Sequence, residues 1–277
     1  MKFGDLFEEM YLGVSSNKIR SGLTMLGIVI GIGSVIAMLS IGQGAKAQIE
    51  KNIQAIGSNL LIVTPGAQRG AGVAVSAGRG SAQTLTRDDA DALKSVSGVA
   101  GVSPEASARY QVTARGTNTN TTVMGSLPSY LVVRNVSIES GSFFTDAQVS
   151  SRAKVAIIGP TTRDDLFGEG ADPIGQKIRI KGVDFTIIGL TVAKGGTGFS
   201  NPDDMIWVPI STASTFLSGS ESVGSISVQA TDQSLMVDVQ ASVTAVLLER
   251  HKIADPAAAD FSVTNQADLV SAASSVT

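Results

Sequence analysis

One histidine, His251, and no cysteine occur in the 277 residues. Thiol chemistry, disulfide bridges and Cys/His zinc sites are excluded together, and a single histidine is left as a candidate general base. His251 falls at the end of an apolar-periodic helix, between Arg250 and Lys252. A cationic side chain there complements the negative end of the helix dipole, which is a structural role. Ser151-Arg-Ala-Lys154 matches the Ser-x-x-Lys of acyl-transfer serines, but the companion motifs are missing and no Gly-x-Ser-x-Gly occurs. Gly170-Ala-Asp-Pro-Ile-Gly175-Gln176-Lys177 has two glycines at phosphate-loop spacing. Its lysine is displaced by one position and the magnesium-binding hydroxyl is lacking, so it reads as a turn before a strand. The acid pairs Asp88-Asp89, Asp164-Asp165 and Asp203-Asp204 are the remaining groups able to bind a cation or move a proton. The first pair sits in a helix's first turn and the last follows Asn201-Pro202, and all are read as capping or solvated carboxylates. No catalytic centre, cofactor or metal is expected.

The composition points to a membrane. Charged residues make up 16% of the chain, against about 25% in an average soluble domain. The mean hydropathy is positive, at +0.23. The net charge of -3 excludes the concentrated basic surface of a nucleic-acid binder. Residues 21–45 carry no formal charge over 25 positions. As a helix at about 1.5 Å per residue they reach past the ~30 Å hydrocarbon core, which predicts a transmembrane helix. A cleaved signal peptide is the alternative, with Ala45-Lys46-Ala47 imitating a cleavage site. Against it, the apolar run exceeds a signal core, and Asp5, Glu8 and Glu9 precede it. Lys18 and Arg20 before the span anchor its cytoplasmic side under the positive-inside bias. Gly27 and Gly31, and Gly33 and Ala37, stand four apart and form strips where another helix can approach closely. Phe3, Leu6, Phe7, Met10 and Val14 share one helical face, predicting an amphipathic cytoplasmic helix over 1–20 that packs on protein or lipid.

The elements beyond the span follow from periodicity. Residues 46–56 continue the helix as a stalk, with Ile49, Ile53 and Ile56 on one side. Residues 59–64 form a strand stopped by Pro65-Gly66, followed by a mobile glycine-rich loop over 65–83. Thr86 and Asp89 make a capping box for a helix over 87–96 ending at Gly98, and a strand covers 99–104. The same alternation returns as a strand over 225–230, a helix marked by Leu235, Val239, Val243, Val246 and Leu247, and a strand over 260–265. Strands are read at 110–113, 121–125, 155–159, 177–180, 184–192 and 205–209, with a hairpin around Gly182. The expected fold is a membrane-anchored α+β chain outside the cytoplasm. Two β-α-β units over 57–109 and 222–265 form one subdomain, a β-rich subdomain over 110–221 is inserted, and 266–277 begins a return stalk. Joining the two units buries more apolar surface than leaving them apart.

Asn17-Lys-Ile-Arg-Ser-Gly-Leu-Thr-Met-Leu-Gly-Ile-Val-Ile-Gly-Ile-Gly-Ser-Val-Ile36 resembles the first membrane helix of MacB-type ABC transporter permeases, relatives of FtsX and LolC. Asn59-Leu-Leu-Ile-Val-Thr-Pro-Gly66, Leu166-Phe-Gly168, Asp172-Pro-Ile-Gly175, Phe185-Thr-Ile-Ile-Gly189 and Val208-Pro209 are similar to that family's extracytoplasmic core domain in order and spacing. The resemblance implies a permease in the inner or plasma membrane, working by mechanotransmission with a separate cytoplasmic ATPase subunit. It implies a homodimer or pairing with a second permease chain, contact with membrane lipid, an extracytoplasmic adaptor, and export of an antibiotic, peptide or lipid-linked molecule. Such permeases continue with three further membrane helices, whereas these residues end at Thr277. A fragment, or a half-permease completed by another chain, is expected. The competing reading is a membrane-anchored regulatory module acting on envelope enzymes, as in FtsX relatives.

Overall fold

The computed structural model of the chain describes residues 18–56, 59–66, 84–195 and 201–265. The expected amphipathic segment before residue 18, most of the glycine-rich loop and the return stalk over 266–277 lie outside the described residues. The chain divides into two compact units, one holding the apolar helix and the other residues 53–272.

Helix α1, Lys18–Ile56, runs without a break through the expected span and stalk. Its Lys18–Gly44 portion is long and apolar enough to cross a membrane. The hydroxyls within it are satisfied locally: Thr24 Oγ1 donates to the Arg20 carbonyl at 3.1 Å and Ser34 Oγ to the Gly31 carbonyl at 2.8 Å. A polar group so bonded can enter hydrocarbon without the full cost of an unmade hydrogen bond.

In the second unit, strands β1 (Leu60–Pro65), β2 (Val99–Ala114), β9 (Ser225–Ala230) and β10 (Phe261–Asn265) lie in the order β10-β1-β9-β2, every neighbour antiparallel. Leu61 faces Val228 and Val63 faces Ile226 across the β1–β9 pair. Helix α2 (Arg87–Leu93) connects β1 to β2, and helix α7 (Met236–Arg250) connects β9 to β10. This is the order and connectivity of a ferredoxin-like split β-α-β sheet. One face is apolar: Leu61, Val63, Val102, Ile226 and Val228 share a core with Leu93, Val239, Val243 and Leu247 of the helices. The opposite face alternates to Ile62, Ser103, Glu105, Ser225 and Ser227. Helix α2 stops three residues short of the expected end at Val96, because its last turn tightens into i→i+3 bonds from Ser95 and Val96.

The remaining strands form a closed circuit. β3 (Thr117–Ser126), β5 (Val155–Ile158), β6 (Lys177–Ile180), β7 (Val183–Thr191) and β8 (Met205–Pro209) pair in the ring β2-β3-β8-β5-β7-β6-β2. Closure removes sheet edges. Short β4 (Ile138–Gly141) adds to the outside of β7. Alternation fills the barrel with Val112, Val123, Ala156, Ile158, Ile178, Ile180, Phe185, Ile187, Ile206 and Val208. It turns Met124, Ile157 and Trp207 outward into the other core. The β6–β7 hairpin turns at Lys181 and Gly182, both at positive φ (48° and 81°), as a two-residue primed turn requires. The expected boundary between residues 109 and 110 falls inside β2, which passes it as one 16-residue strand. Through Glu105 the strand pairs with β9, and from Ala106 with β3, so the two sheets share a strand.

Backbone packing behind β5 sets one prediction. A Cβ on Gly159 would lie 2.3 Å from the Asp203 carbonyl oxygen, which also accepts the Thr161 N–H at 3.0 Å. Gly159→Ala is expected to destabilise the domain by about 1–3 kcal/mol through this overlap, read as a lowered urea midpoint at unchanged slope. A midpoint within error of the parent would refute the close approach.

Candidate functional site

The residues singled out for chemistry are occupied structurally. His251 lies at the C-terminal end of α7, with Nδ1 2.7 Å from Asp260 Oδ1 and Nε2 3.4 Å from Asp89 Oδ2. Both ring nitrogens face carboxylates, which leaves no lone pair directed at a substrate. Asp89 also accepts from Arg250 Nε at 2.6 Å and from the Thr86 N–H and hydroxyl at 2.9 and 2.7 Å. Burial alone would raise its pKa, but the hydrogen bonds from Arg250 and Thr86 outweigh that and hold it below the usual carboxylate value. The cluster ties α2, α7 and β10 together. Ser151 Oγ donates to the Gln148 carbonyl, and Lys154 Nζ lies 4.7 Å above the Phe216 ring. Asp172 caps the Ile174 N–H inside the Gly170–Gly175 turn. Asp164 pairs with Arg163, Asp165 accepts from Thr119, and Asp203 accepts the N–H groups of Lys194 and Gly195.

Lys18 and Arg20 open α1. Around Gly27, Gly31 and Gly33 a Cβ would meet nothing within 4 Å, so this strip of the helix, with Ala37 at the same spacing, is uncovered among the described residues.

The sequence reading missed a polar constellation where β2 changes partners. Helix α3 (Tyr130–Val133) follows β3 and sets Arg134 against the serine face of the four-stranded sheet. Arg134 Nε and Nη2 each donate to Glu105 at 2.9 Å, a two-point clamp on a carboxylate 3% exposed. Ser227 and Ser225 donate to the same carboxylate. Burial opposes the Arg134 charge, and Glu105 more than restores it, raising its pKa above the ordinary value. Lys194 Nζ donates to the Arg134 carbonyl at 3.0 Å; burial and then the Arg134 charge lower its pKa. Burial, followed by the Glu105 charge, pushes the Tyr130 phenol up to about 12, so it stays protonated. Its ring lies 6.2 Å from that of Trp207, the only tryptophan, which is 1% exposed. These residues line a cleft of about 450 Å³ between the serine face of the sheet and the outer wall of the barrel, with Ile62, Met124, Val136 and Met205 as apolar walls. One signal was available in sequence: Glu105 is the only charge between Val99 and Ala108.

An apolar helix of membrane-spanning length followed by an α+β domain of two strand-sharing sheets defines the class. Residues 21–246 match the family described as MacB-like periplasmic core domain, and the chain belongs to that family. The macrolide export ATP-binding/permease protein MacB of Bdellovibrio bacteriovorus is 38% identical over 276 residues, covering 98% of this chain and 42% of that protein. The MacB of Azoarcus sp. is 38% identical, covering 92% and 37%, and the pyoverdine export protein PvdT of Pseudomonas entomophila is 33% identical, covering 92% and 38%. The chain thus spans about two fifths of the length of these curated relatives. The periplasmic region of MacB from Actinobacillus actinomycetemcomitans has the same fold, with a TM-score of 0.67 at 22% identity, covering 83% of this chain and 99% of that one. The extracellular domain of the transporter YknZ from Gram-positive bacteria superposes at 0.60 and 21% identity, covering 75% and 100%. The MacB-type resemblance of the opening segment therefore holds along the chain.

Proposed function

We propose that this chain is the permease portion of a MacB-like ABC exporter, anchored by the helix over 21–45 with the following domain outside the cytoplasm. The observation that carries the reading is the pairing, on one chain of this family, of a spanning-length helix with a domain whose sheets are joined by a continuous strand. No Gly-x-x-x-x-Gly-Lys-Ser/Thr loop occurs in the 277 residues. In this reading the energy comes from a cytoplasmic ATPase, which we place on a separate chain. In this reading Lys18 and Arg20 hold the cytoplasmic end. The strips Gly27–Gly31 and Gly33–Ala37 receive a second permease helix, from a homodimer mate or a different permease chain. The subdomains over 57–109 with 222–265 and over 110–221 are the parts moved by mechanotransmission, and 266–277 leads back toward the membrane. Lipid surrounds the span and an extracytoplasmic adaptor receives the exported molecule, of the antibiotic, peptide or lipid-linked kind.

The test uses the absence of native cysteine. Single cysteines at Ser16 and at exposed Glu169 are expected to react oppositely with a membrane-impermeant maleimide in intact cells: Glu169→Cys labelled, Ser16→Cys protected until lysis. Labelling of Ser16→Cys alone would reverse the orientation. A mature chain beginning after Ala47 would replace the anchor with a signal peptide.

A further inference from the structure

The cleft between the sheets has a lining whose donors and acceptors are unequal. Its Glu105 carboxylate is spent on four hydrogen bonds, two from Arg134 and one each from Ser227 and Ser225. Arg134 by contrast has five N–H donors, of which two are engaged by described residues. The Lys194 ammonium lies against the Arg134 carbonyl. The nearby Asp203 carboxylate is turned to backbone N–H groups of its own loop. The same lining includes apolar surface from Ile62, Met124, Met205, Tyr130 and Trp207. Two methionines in such a wall can repack around ligands of different shape. The volume of about 450 Å³ falls in the range of small-molecule pockets.

We infer that this cleft binds a small anionic amphiphile, its carboxylate or sulfonate head on Arg134 and its apolar body along Trp207 and the two methionines. A cationic amphiphile finds the one carboxylate of the lining, Glu105, already engaged in four hydrogen bonds, and meets two cations, Arg134 and Lys194. An anionic head gains charge-assisted hydrogen bonds from a guanidinium already held in place by Glu105. The inference does not depend on the transport reading: it concerns equilibrium binding to the domain and needs neither ATPase nor orientation.

Trp207 is a single native reporter set in the wall. The 277-residue chain in phosphatidylcholine nanodiscs is titrated with decanoate and, separately, with decyltrimethylammonium. The expected result is a saturable change in Trp207 emission with an apparent affinity about tenfold higher for the acid. In methionine-methyl NMR the Met124 and Met205 signals move, and those of Met25 and Met38 do not. Thr122→Phe and Val136→Phe, which fill the cleft and leave the ion pair in place, each weaken the acid by about tenfold or more. Glu105→Gln combined with Arg134→Met abolishes the preference for the acid. A further arm supplies palmitate within the nanodisc bilayer: a response there assigns the ligand to membrane lipid, and a response to decanoate alone assigns it to a soluble acid. Equal response to both head groups, an unchanged response in the filled variants, or static Met124 and Met205 signals at saturation would overturn the inference, and the methyl measurement decides on the parent chain alone.

Discussion

Replacing Arg134 by methionine is expected to cost the outer domain about 3–5 kcal/mol, the range for removing one partner of a buried ion pair. The cost arises in what remains. Glu105 is 3% exposed and loses two charge-assisted bonds, keeping only the serine hydroxyls. A carboxylate left in that place must be desolvated without compensation or take up a proton. Glu105→Gln in the same chain removes the uncompensated charge while keeping one acceptor oxygen for a serine hydroxyl and turning an NH2 to the other hydroxyl, which can accept from it, so the double variant is expected to recover most of the loss. Urea unfolding followed by Trp207 emission measures the cycle. If the double variant were as unstable as Arg134→Met, the damage would lie in the lost guanidinium packing and not in the orphaned charge.

The clamp also shows where sequence reading stops. The strand pattern was legible in local segments: residues 225–230 alternate in the chain, residues 205–209 form a short apolar run that is almost wholly buried as β8, and Lys177–Ile180 with Val183–Thr191 declares its hairpin through Gly182. These signals are local, set by side-chain period and turn geometry. Whether β6 pairs only β7 or also closes on β2 through Val112–Ile180 is a long-range matter that no local period encodes. Short β4 carries one apolar residue and a bulge against β7, too little for an alternation signal. The boundary expected between residues 109 and 110 falls within one strand for a similar reason. β2 continues as one strand while exchanging partner strands, so only pairing, and not composition, marks the change. Glu105 and Arg134 stand 29 positions apart on different elements, and neither residue type predicts the other. The cleft's aromatic pair, Tyr130 and Trp207, comes from α3 and β8 and has no spacing to be read.

Neutralising Asp89 is expected to have the second large effect, and its dependence on pH identifies the cause. Asp89 is the third helical residue of a capping box, accepting from the Thr86 N–H while its own N–H bonds the Thr86 hydroxyl. It is also the carboxylate on which Arg250 and His251 of α7 converge, so its removal loosens both helices of the four-stranded sheet at once. Asp89→Ala should cost roughly 3 kcal/mol, a cap and a partly buried ion pair lost together. Because the folded-state pKa of Asp89 lies below its unfolded value near 3.8, the folded protein binds fewer protons at this group. Its contribution is therefore fully present above about pH 4 and is lost as pH falls through the lowered folded value. Asp89→Asn keeps the size and one acceptor but cannot titrate. Across pH 2.5–7 the parent should lose stability on acidification more steeply than Asp89→Asn, and the two curves should draw together at the acid end. Parallel curves would mean that Asp89 stabilises the fold through shape and capping alone, and that the hydrogen bonds from Arg250 and Thr86 lend its carboxylate no net preference for the ionised state.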